Sequence, residues 1–317
     1  MNVSLKPKKP PTVKEWLKSA ASELKVADVP SPRLDAELIL AHAISHERTW
    51  LVAHDSYELT ATGLQQANSL AQRRIQHEPL AYLTGYREFY GRKFIVTPDV
   101  LIPRPETEQL AKTVGEIFQS CFEKTPRSMT IDAAKQRCLI CDDRLNSCCA
   151  SKSNSGKSTP TIIDIGTGSG AIAITLALEL PNAQVFASDI SKTAIQVAKR
   201  NAKQLGAVVE FAQSDLLHKL GSKKFDIIVA NLPYVAREWP VSPAANYEPK
   251  LALYADDAGQ SLLKKLVSAA PKSLKPGGIL ALELDPRQVE DIAAYAVKSQ
   301  HFTLLQKAPF FVILQIK

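Results

Sequence analysis

The chain has 317 residues, of which 45% are hydrophobic and 22% charged, a composition that suits one large globular domain and a smaller one. No uncharged apolar run approaches the ~20 residues that a membrane span needs, and the first residues lack the apolar stretch of a signal peptide, so we expect a cytoplasmic protein. The net charge of +7 is concentrated in two places. Lys6, Lys8 and Lys9 have no acidic neighbour in residues 1–10, and residues 119–160 carry seven Lys or Arg against four Asp or Glu. This distribution argues against a dedicated nucleic-acid-binding face.

Residues 11–80 have the pattern of a small helical bundle. Apolar residues recur at helical spacing in three stretches, which begin near Val13, Leu34 and Leu64. The histidines of this region lack the spacing to a carboxylate that is typical of a metal site. We therefore interpret residues 1–80 as a helical domain without catalytic groups.

Residues 81–105 change character, because aromatic and β-branched residues alternate there with polar residues and glycines. This pattern predicts a β-hairpin that links two domains. Prolines at the end of the segment favour an extended approach to a helix, predicted over 109–118, at the start of a second domain that covers 106–317.

Residues 119–160 lack periodicity and are rich in Ser, Lys, Cys and Asn. We predict that they form a mobile insertion in the second domain. All five cysteines fall inside it, and Cys138 and Cys141 have the C-x-x-C spacing. The complete spacing is not that of a zinc ribbon and the segment has no histidine, so we predict free thiols and no metal site.

From residue 161 onward, strand and helix patterns alternate, which predicts a doubly wound α/β sheet. The predicted strands are 161–165, 184–189, 208–213, 225–230, 278–284, 302–306 and 310–316, and the predicted helices are 170–180, 192–204, 258–273 and 287–298. The last two strands are joined by a short turn, so they must be antiparallel. A Rossmann-like sheet that ends in an antiparallel hairpin is typical of S-adenosylmethionine-dependent methyltransferases.

A glycine-rich turn follows the first of these strands. No Lys-Ser or Lys-Thr follows it, so it is not a phosphate-binding P-loop. Glycines at this place allow a nucleotide-like ligand to approach the backbone, and we assign S-adenosylmethionine binding to the turn. Its residues are Asp164-Ile165-Gly166-Thr167-Gly168-Ser169-Gly170.

Two further strands end in acidic residues. Asp189 lies about twenty residues beyond the glycine turn, where a carboxylate can accept hydrogen bonds from ribose hydroxyls. By sheet geometry Asp215 ends the next strand beside an adenine pocket, where it could accept the exocyclic amine, and Leu216 could flank the ring.

The fourth strand ends in Asn231-Leu232-Pro233-Tyr234, the most specific motif of the chain. An amide or aromatic amine nitrogen is a poor nucleophile, because its lone pair is delocalised. The Asn231 oxygen and a neighbouring backbone carbonyl can each accept one N–H, which orients the nitrogen towards the methyl donor. Tyr234 can stack on the planar group. We assign catalysis to Asn231, Pro233 and Tyr234.

Together these motifs resemble the PrmC/HemK family of protein-glutamine N5-methyltransferases, which modify peptide-chain release factors. The resemblance covers most of the chain. The matching segments are Arg33–Leu40, Glu78–Gly85, Glu88–Gly91, Val100–Glu108, Asp164–Gly170, Asn231–Tyr234 and Glu248-Pro249. One departure is Leu232, which stands where the family usually has proline.

The resemblance implies methyl transfer from S-adenosylmethionine to the glutamine side chain of the Gly-Gly-Gln motif in a release factor. It further implies that Gly166–Gly170, Asp189, Leu216 and Asn231 contact the cofactor. Asn231, Leu232, Pro233 and Tyr234 would hold the glutamine, and residues 1–80 would help to dock the release factor. We expect a monomer that needs neither a membrane nor nucleic acid.

Two other functions stay open at this point. The first is N6-adenine methylation of RNA or DNA, because Asn-Leu-Pro-Tyr also occurs in ribosomal-RNA adenine dimethyltransferases. That function would favour a basic cleft, which the charge distribution does not supply. The second is a non-catalytic, cofactor-binding, ribosome-associated protein, against which Asp189 and Asn231 both argue.

Overall fold

The computed structural model describes residues 9–122 and 159–317. The described residues divide into two compact units, one within Met1–Tyr86 and Val241–Tyr247, the other within Arg87–Pro240 and Glu248–Lys317. Four of the five cysteines lie outside the described residues, and so does nearly all of the insertion predicted to be mobile. The predicted thiol state of that segment therefore stays a prediction.

The first unit is helical. Its helices are α1 (Val13–Val26), α2 (Pro32–Ala43), α3 (Arg48–Ala53), α4 (Ala61–Ile75) and α5 (Leu80–Thr84). A capping box between Thr12 and Glu15 begins α1. The sequence pattern predicts only three helical stretches, because α3 and α5 are too short to show a full apolar period.

A buried ion pair joins α2 to α4. Arg74 donates from Nε to Asp35 Oδ2 at 2.7 Å, and both side chains are at most 10% exposed. Arg74 also donates from Nη1 to the carbonyl of Glu78 at 2.9 Å. Asp35 belongs to the Arg33–Leu40 segment, so this part of the signature has a structural role.

We expect Asp35→Ala to destabilise the first unit by about 3–5 kcal/mol, because it leaves the Arg74 guanidinium buried without its partner. Tryptophan fluorescence during urea unfolding measures this change, since Trp16 and Trp50 both lie in the unit. The matched control is Arg33→Ala, which removes an exposed pair with Glu37 and should cost less than about 0.5 kcal/mol. Equal losses for the two variants would refute the prediction.

The predicted hairpin consists of β1 (Tyr86–Phe89) and β2 (Arg92–Ile95), and all of it except Tyr86 belongs to the second unit. Phe89 and Phe94 are fully buried, and their rings meet edge to face at 5.9 Å. They pack against Ile174 and Ala202, so the hairpin is anchored to two helices of the sheet domain.

The next helix, α6, runs from Pro105 to Phe122 and is longer at both ends than the predicted 109–118. Proline suits the first helical position, because its missing N–H has no helical partner there. Glu106 and Glu108 therefore lie in the first turn. Glu108 also accepts a hydrogen bond from the backbone N–H of Tyr90 at 2.9 Å.

A seven-stranded sheet forms the centre of the second unit. Its strands are β3 (Thr161–Ile165), β4 (Gln184–Asp189), β5 (Glu210–Gln213), β6 (Phe225–Asn231), β7 (Leu274–Glu283), β8 (Phe302–Ala308) and β9 (Phe311–Ile316). The strand order is β5-β4-β3-β6-β7-β9-β8. Neighbours from β5 to β7 are parallel, and β9 is antiparallel to both β7 and β8. The predicted Rossmann-like sheet with a closing antiparallel hairpin is confirmed.

Five helices follow α6 among the described residues. They are α7 (Ala171–Glu179), α8 (Lys192–Leu205), α9 (Lys250–Leu253), α10 (Ser261–Ala269) and α11 (Val289–Lys298). The single helix predicted over 258–273 is wrong in extent. Ala258 and Gly259 adopt positive φ before α10, and a short 3-10 turn, Ala270–Lys272, contains Pro271 after it. Residues with positive φ cannot continue a right-handed helix, and Pro271 has no backbone N–H to donate to the preceding turn.

Helices cover both faces of the sheet. Ile162 of β3 packs with α6 and α7 on one face, while Ile163 packs with α10 and α11 on the other. This alternation is that of a strand buried on both sides. The chain passes from β3 to β5 on one side and returns to β6 on the other, so the carboxyl ends of β3 and β6 flank a topological switch point. None of the helices described here is long and apolar enough to cross a bilayer.

Candidate functional site

A cavity of about 190 Å³ opens at the carboxyl ends of the central strands. Most of the residues predicted for the site line it. They are Gly166, Thr167, Gly168, Ser169, Asp189, Asp215, Leu216, Asn231, Leu232 and Pro233. The cavity also has walls from Val100–Leu101, Arg104 and Thr107, which precede and begin α6.

The glycine turn follows β3 as predicted. Gly166 and Gly168 have φ of +73° and +54°, a region that side chains rarely adopt. A Cβ atom on Gly166 would lie 2.9 Å from Cδ2 of Leu232, so the turn packs directly beneath the Asn-Leu-Pro-Tyr segment. The leucine that replaces the usual proline therefore forms part of the packing between the two motifs.

Gly170 has a different role from its neighbours. It precedes α7 with φ of +84°, and a Cβ there would lie 2.7 Å from Cδ1 of Ile174. Gly170 is not among the residues that line the cavity. The structure therefore places this predicted cofactor residue at a packed helix start.

Asn201 of α8 fixes the glycine turn through hydrogen bonds to the backbone. Its Nδ2 donates to the carbonyls of Ser169 at 2.8 Å and Ile95 at 2.9 Å, and its Oδ1 accepts from Ile95 N–H at 2.7 Å. The side chain is completely buried. Sequence reasoning missed Asn201, although a polar residue on the buried face of α8 was a usable signal.

Asp189 ends β4 and also holds the turn. Oδ2 accepts from the Gly168 N–H at 2.9 Å, and Oδ1 accepts from the Ser191 N–H at 2.8 Å. Burial raises its pKa from the ordinary range, while these backbone donors oppose the rise. Each oxygen keeps a second lone pair, so the carboxylate can support the turn and accept from a ligand hydroxyl as well.

Asp164 lies behind the turn and is 1% exposed. Oδ2 accepts from Thr167 Oγ1 at 2.6 Å and from Ala173 N–H at 3.2 Å. Oδ1 is buried and has no hydrogen-bond partner among the described residues. Burial raises the pKa of Asp164 to about 7.

The folded chain therefore holds a proton on Asp164 that the unfolded chain releases near its ordinary pKa of 3.8. The stabilisation from this group is present at low pH and is lost as the pH rises through about 7. We expect the wild-type free energy of unfolding, relative to Asp164→Asn, to fall between about pH 4 and about pH 7. Urea unfolding across that range measures it, with exposed Asp256→Asn as the control. A difference that stays constant or rises with pH would contradict the prediction.

Asp215 and Leu216 follow β5. Asp215 is exposed, and Leu216 is half-buried with φ of +47°. The adjacent Ser214 donates its N–H to the carbonyl of Asp189 at 3.0 Å, which joins the two strand ends. Both residues line the cavity, and their assignment to an adenine ring stays a prediction.

Asn231 ends β6 between two partners that sequence reasoning missed. Its Nδ2 donates to Thr107 Oγ1 at 3.0 Å and to Glu283 Oε1 at 2.8 Å. Both amide hydrogens are thereby used on the protein side. Because Asn231 also lines the cavity, its Oδ1 is the amide atom left to accept a hydrogen bond from a ligand.

Tyr234 lies outside the cavity lining and packs against the hydrophobic core. Its backbone carbonyl accepts from Gln288 Nε2 at 2.9 Å, and the same nitrogen donates to the carbonyl of Ala258 at 2.9 Å. Burial raises the pKa of its phenol. A Cβ on Gly259 would lie 2.0 Å from the Tyr234 oxygen, so only glycine permits this close approach. The predicted stacking by Tyr234 stays a prediction.

A buried ion pair between Arg104 and Glu248 joins two segments of the family signature. Glu248 is buried and accepts from Arg104 Nη2 at 2.5 Å and from the Ile102 N–H at 3.1 Å. Glu248 thus fixes the extended segment before α6, which forms one wall of the cavity. The sequence does not indicate the contact between Arg104 and Glu248, because 144 positions separate these two residues.

The residues of the cavity fit S-adenosylmethionine. Gly168 leaves the backbone open to a ligand, because nothing lies within 4 Å of where its Cβ would be. Asp189 can accept from ribose hydroxyls, and apolar Ile190 and Leu262 contribute surface for a planar base.

The chain is similar to known proteins along most of its length. Residues 15–85 match the family model of the PrmC N-terminal domain, and residues 157–307 match a methyltransferase domain. The chain is 37% identical to the release factor glutamine methyltransferase of Koribacter versatilis over 86% of each chain. It is 36% identical to that of Bordetella pertussis, covering 81% of this chain and 83% of the relative. It is also 34% identical to a bifunctional methyltransferase of Rickettsia felis, over 89% of this chain and 53% of that protein. The chain belongs to the release factor glutamine methyltransferase family.

Proposed function

We propose that this S-adenosylmethionine-dependent enzyme methylates the side-chain nitrogen N5 of the glutamine in the Gly-Gly-Gln motif of a release factor. The observation that carries the proposal is the orientation of Asn231. Its Nδ2 is held by Thr107 and Glu283, which leaves Oδ1 as an acceptor at the cavity wall. An acceptor of this kind suits a substrate that presents an N–H, as a glutamine amide does.

The main chemical problem is the low nucleophilicity of an amide nitrogen. In the proposed mechanism Asn231 Oδ1 accepts one N–H of the glutamine, and the backbone carbonyl of Leu232 accepts the other. Two acceptors fix the plane of the amide and increase the electron density on its nitrogen. S-adenosylmethionine supplies an electrophilic methyl group on its sulfonium sulfur. As the new N–C bond forms and the bond from sulfur to the methyl carbon breaks, the nitrogen becomes positively charged and its proton acidic. Water can take this proton, so no strong base is needed.

Other residues bind the cofactor and orient the glutamine. The glycine turn and Asp189 hold the donor, and Pro233 closes the wall beside the acceptor. The ion pair with Glu248 keeps Arg104 at the cavity wall. We assign Asp215 and Leu216 to the adenine end and Tyr234 to the glutamine side.

The function is tested by incubating the enzyme and labelled S-adenosylmethionine with a release factor, with its Gln→Ala variant in the Gly-Gly-Gln motif, and with ribosomal RNA. We expect label only in the unaltered release factor. Label in RNA would favour the N6-adenine alternative, and label that survives the Gln→Ala change would refute the proposed acceptor. No transfer to any substrate would favour a non-catalytic binding protein.

We further propose that the enzyme acts as a monomer without nucleic acid, and that residues 1–80 contribute to release-factor docking. The charge distribution supports independence from nucleic acid, because much of the positive surplus lies at residues 1–10 and 119–160. Light scattering should give the mass of one chain, and nuclease treatment should leave the activity unchanged.

A short Gly-Gly-Gln peptide should have a KM at least about tenfold above that of the intact release factor.

A further inference from the structure

A buried carboxylate lies directly behind the acceptor residue. We propose that Glu283 is a positioning residue for methyl transfer, whose negative charge fixes the Asn231 amide and strengthens its oxygen as a hydrogen-bond acceptor. The inference rests on the acceptor role proposed for Asn231. Glu283 does not line the cavity, so it acts through Asn231 and not on the substrate itself.

Sheet geometry places the two residues side by side. Asn231 is the last residue of β6 and Glu283 the last of β7, and they are partners in the parallel register. Glu283 Oε1 accepts from Asn231 Nδ2 at 2.8 Å, while Thr107 accepts the second amide hydrogen at 3.0 Å. A flipped amide would set its oxygen against the Glu283 carboxylate and lose that hydrogen bond. The pair therefore selects the orientation in which Oδ1 is available at the cavity.

The charge of Glu283 has a catalytic rationale. A hydrogen bond to a carboxylate is stronger than one to a neutral acceptor, and it polarises the donor amide. Polarisation places more negative charge on Asn231 Oδ1. This oxygen therefore accepts a stronger hydrogen bond from the glutamine N–H. The second carboxylate oxygen, Oε2, is buried and has no hydrogen-bond partner among the described residues. Such an atom is unfavourable for folding, so stability alone does not explain a glutamate here.

The charged surroundings of Glu283 set its titration. Burial is the main cause that raises its pKa to about 7, and the Glu106 carboxylate of α6 adds to the rise. Hydrogen bonds from Thr107 and Asn231 and the positive charge of Arg104 lower it. Tyr234 faces the group from the loop after β6, and its phenol is held neutral by its own raised pKa. The active, ionised form of Glu283 therefore increases as the pH rises through about 7.

The test compares wild type, Glu283→Gln, Asn231→Ala and the double variant. Glu283→Gln keeps the size of the side chain and removes the charge, so kcat should fall about ten- to a hundredfold while KM for the cofactor stays within about threefold. The wild-type rise of kcat towards about pH 7 should disappear in Glu283→Gln. The double variant should be no slower than Asn231→Ala, since Glu283 acts through that residue. Exposed Glu290→Gln is the matched control and should leave kcat unchanged.

A wild-type kcat and pH profile in folded Glu283→Gln would overturn the inference, and so would a double variant much slower than Asn231→Ala. If Glu283→Gln does not fold, Glu283→Asp decides the question, because it keeps the charge on a shorter stem. It should retain the rise of kcat with pH, and loss of that rise would overturn the inference. The proposed role of Asn231 fails separately, if Asn231→Ala itself is active.

Discussion

Asn231→Ala should abolish methyl transfer, with kcat at least about a thousandfold below wild type, because the glutamine amide loses the acceptor that orients and activates its nitrogen. Most of the cofactor affinity should remain, since the glycine turn and Asp189 are untouched. Single-turnover transfer to a release factor and calorimetric titration with S-adenosylmethionine measure the two effects separately.

Two controls make the result specific. Asn182→Ala removes the same side chain from an exposed turn before β4. This turn lies at the amino end of its strand, away from the carboxyl ends that form the cavity, so the variant should be as active as wild type. The melting temperature of Asn231→Ala reports whether loss of the bond to Glu283 has disturbed the fold. A folded Asn231→Ala enzyme with a kcat near wild type would show that another group activates the glutamine.

Asp189→Ala should act on the other side of the reaction and raise the cofactor Kd about a hundredfold. The carboxylate holds the N–H groups of Gly168 and Ser191, and it is our proposed acceptor for the ribose hydroxyls. Hydrogen bonds to charged groups contribute about 1.5–3 kcal/mol each, so loss of one ligand bond and a loosened turn together account for the factor. At saturating cofactor, kcat should change less than about fivefold, because Asp189 lies away from the acceptor nitrogen.

Asp189→Asn is the graded comparison, since it keeps an acceptor oxygen and loses the charge, and it should bind with an intermediate Kd. Glu210→Gln in the neighbouring strand β5 is the surface control and should bind as wild type does. Calorimetric titration gives all four dissociation constants. Tight binding by Asp189→Ala would remove this residue from the cofactor site.

Strand ends explain why much of the site is predictable. Gly166, Asp189 and Asn231 each follow an apolar run, and the carboxyl ends of parallel strands lie at one edge of a sheet. The pattern of apolar runs therefore brings these residues together before any contact is known. Its limits appear at irregular backbone, as in the predicted helix over 258–273, which positive φ at Gly259 and the turn at Pro271 restrict to α10.

The supporting residues follow no such local pattern. Thr107 and Asn231 are 124 positions apart, and Glu283 and Asn231 are 52 apart. Asn201 reaches back 106 positions to Ile95. Each of these contacts depends on which helix packs on which face and at what register. Hydrophobic periodicity shows that one face of a helix or strand is buried, but it does not show which element packs on that face.

The sequence by itself therefore determined the α/β class, the closing antiparallel hairpin, the glycine turn and the position of Asn231 at a strand end, because these depend on local patterns and on the rules of parallel sheets. Only the tertiary structure decided how Asn231 is held. The adjacent ends of β6 and β7 set Glu283 against Asn231, and the first turn of α6 adds Thr107. The orientation of an amide depends on the hydrogen bonds around it, and those partners come from distant parts of the chain.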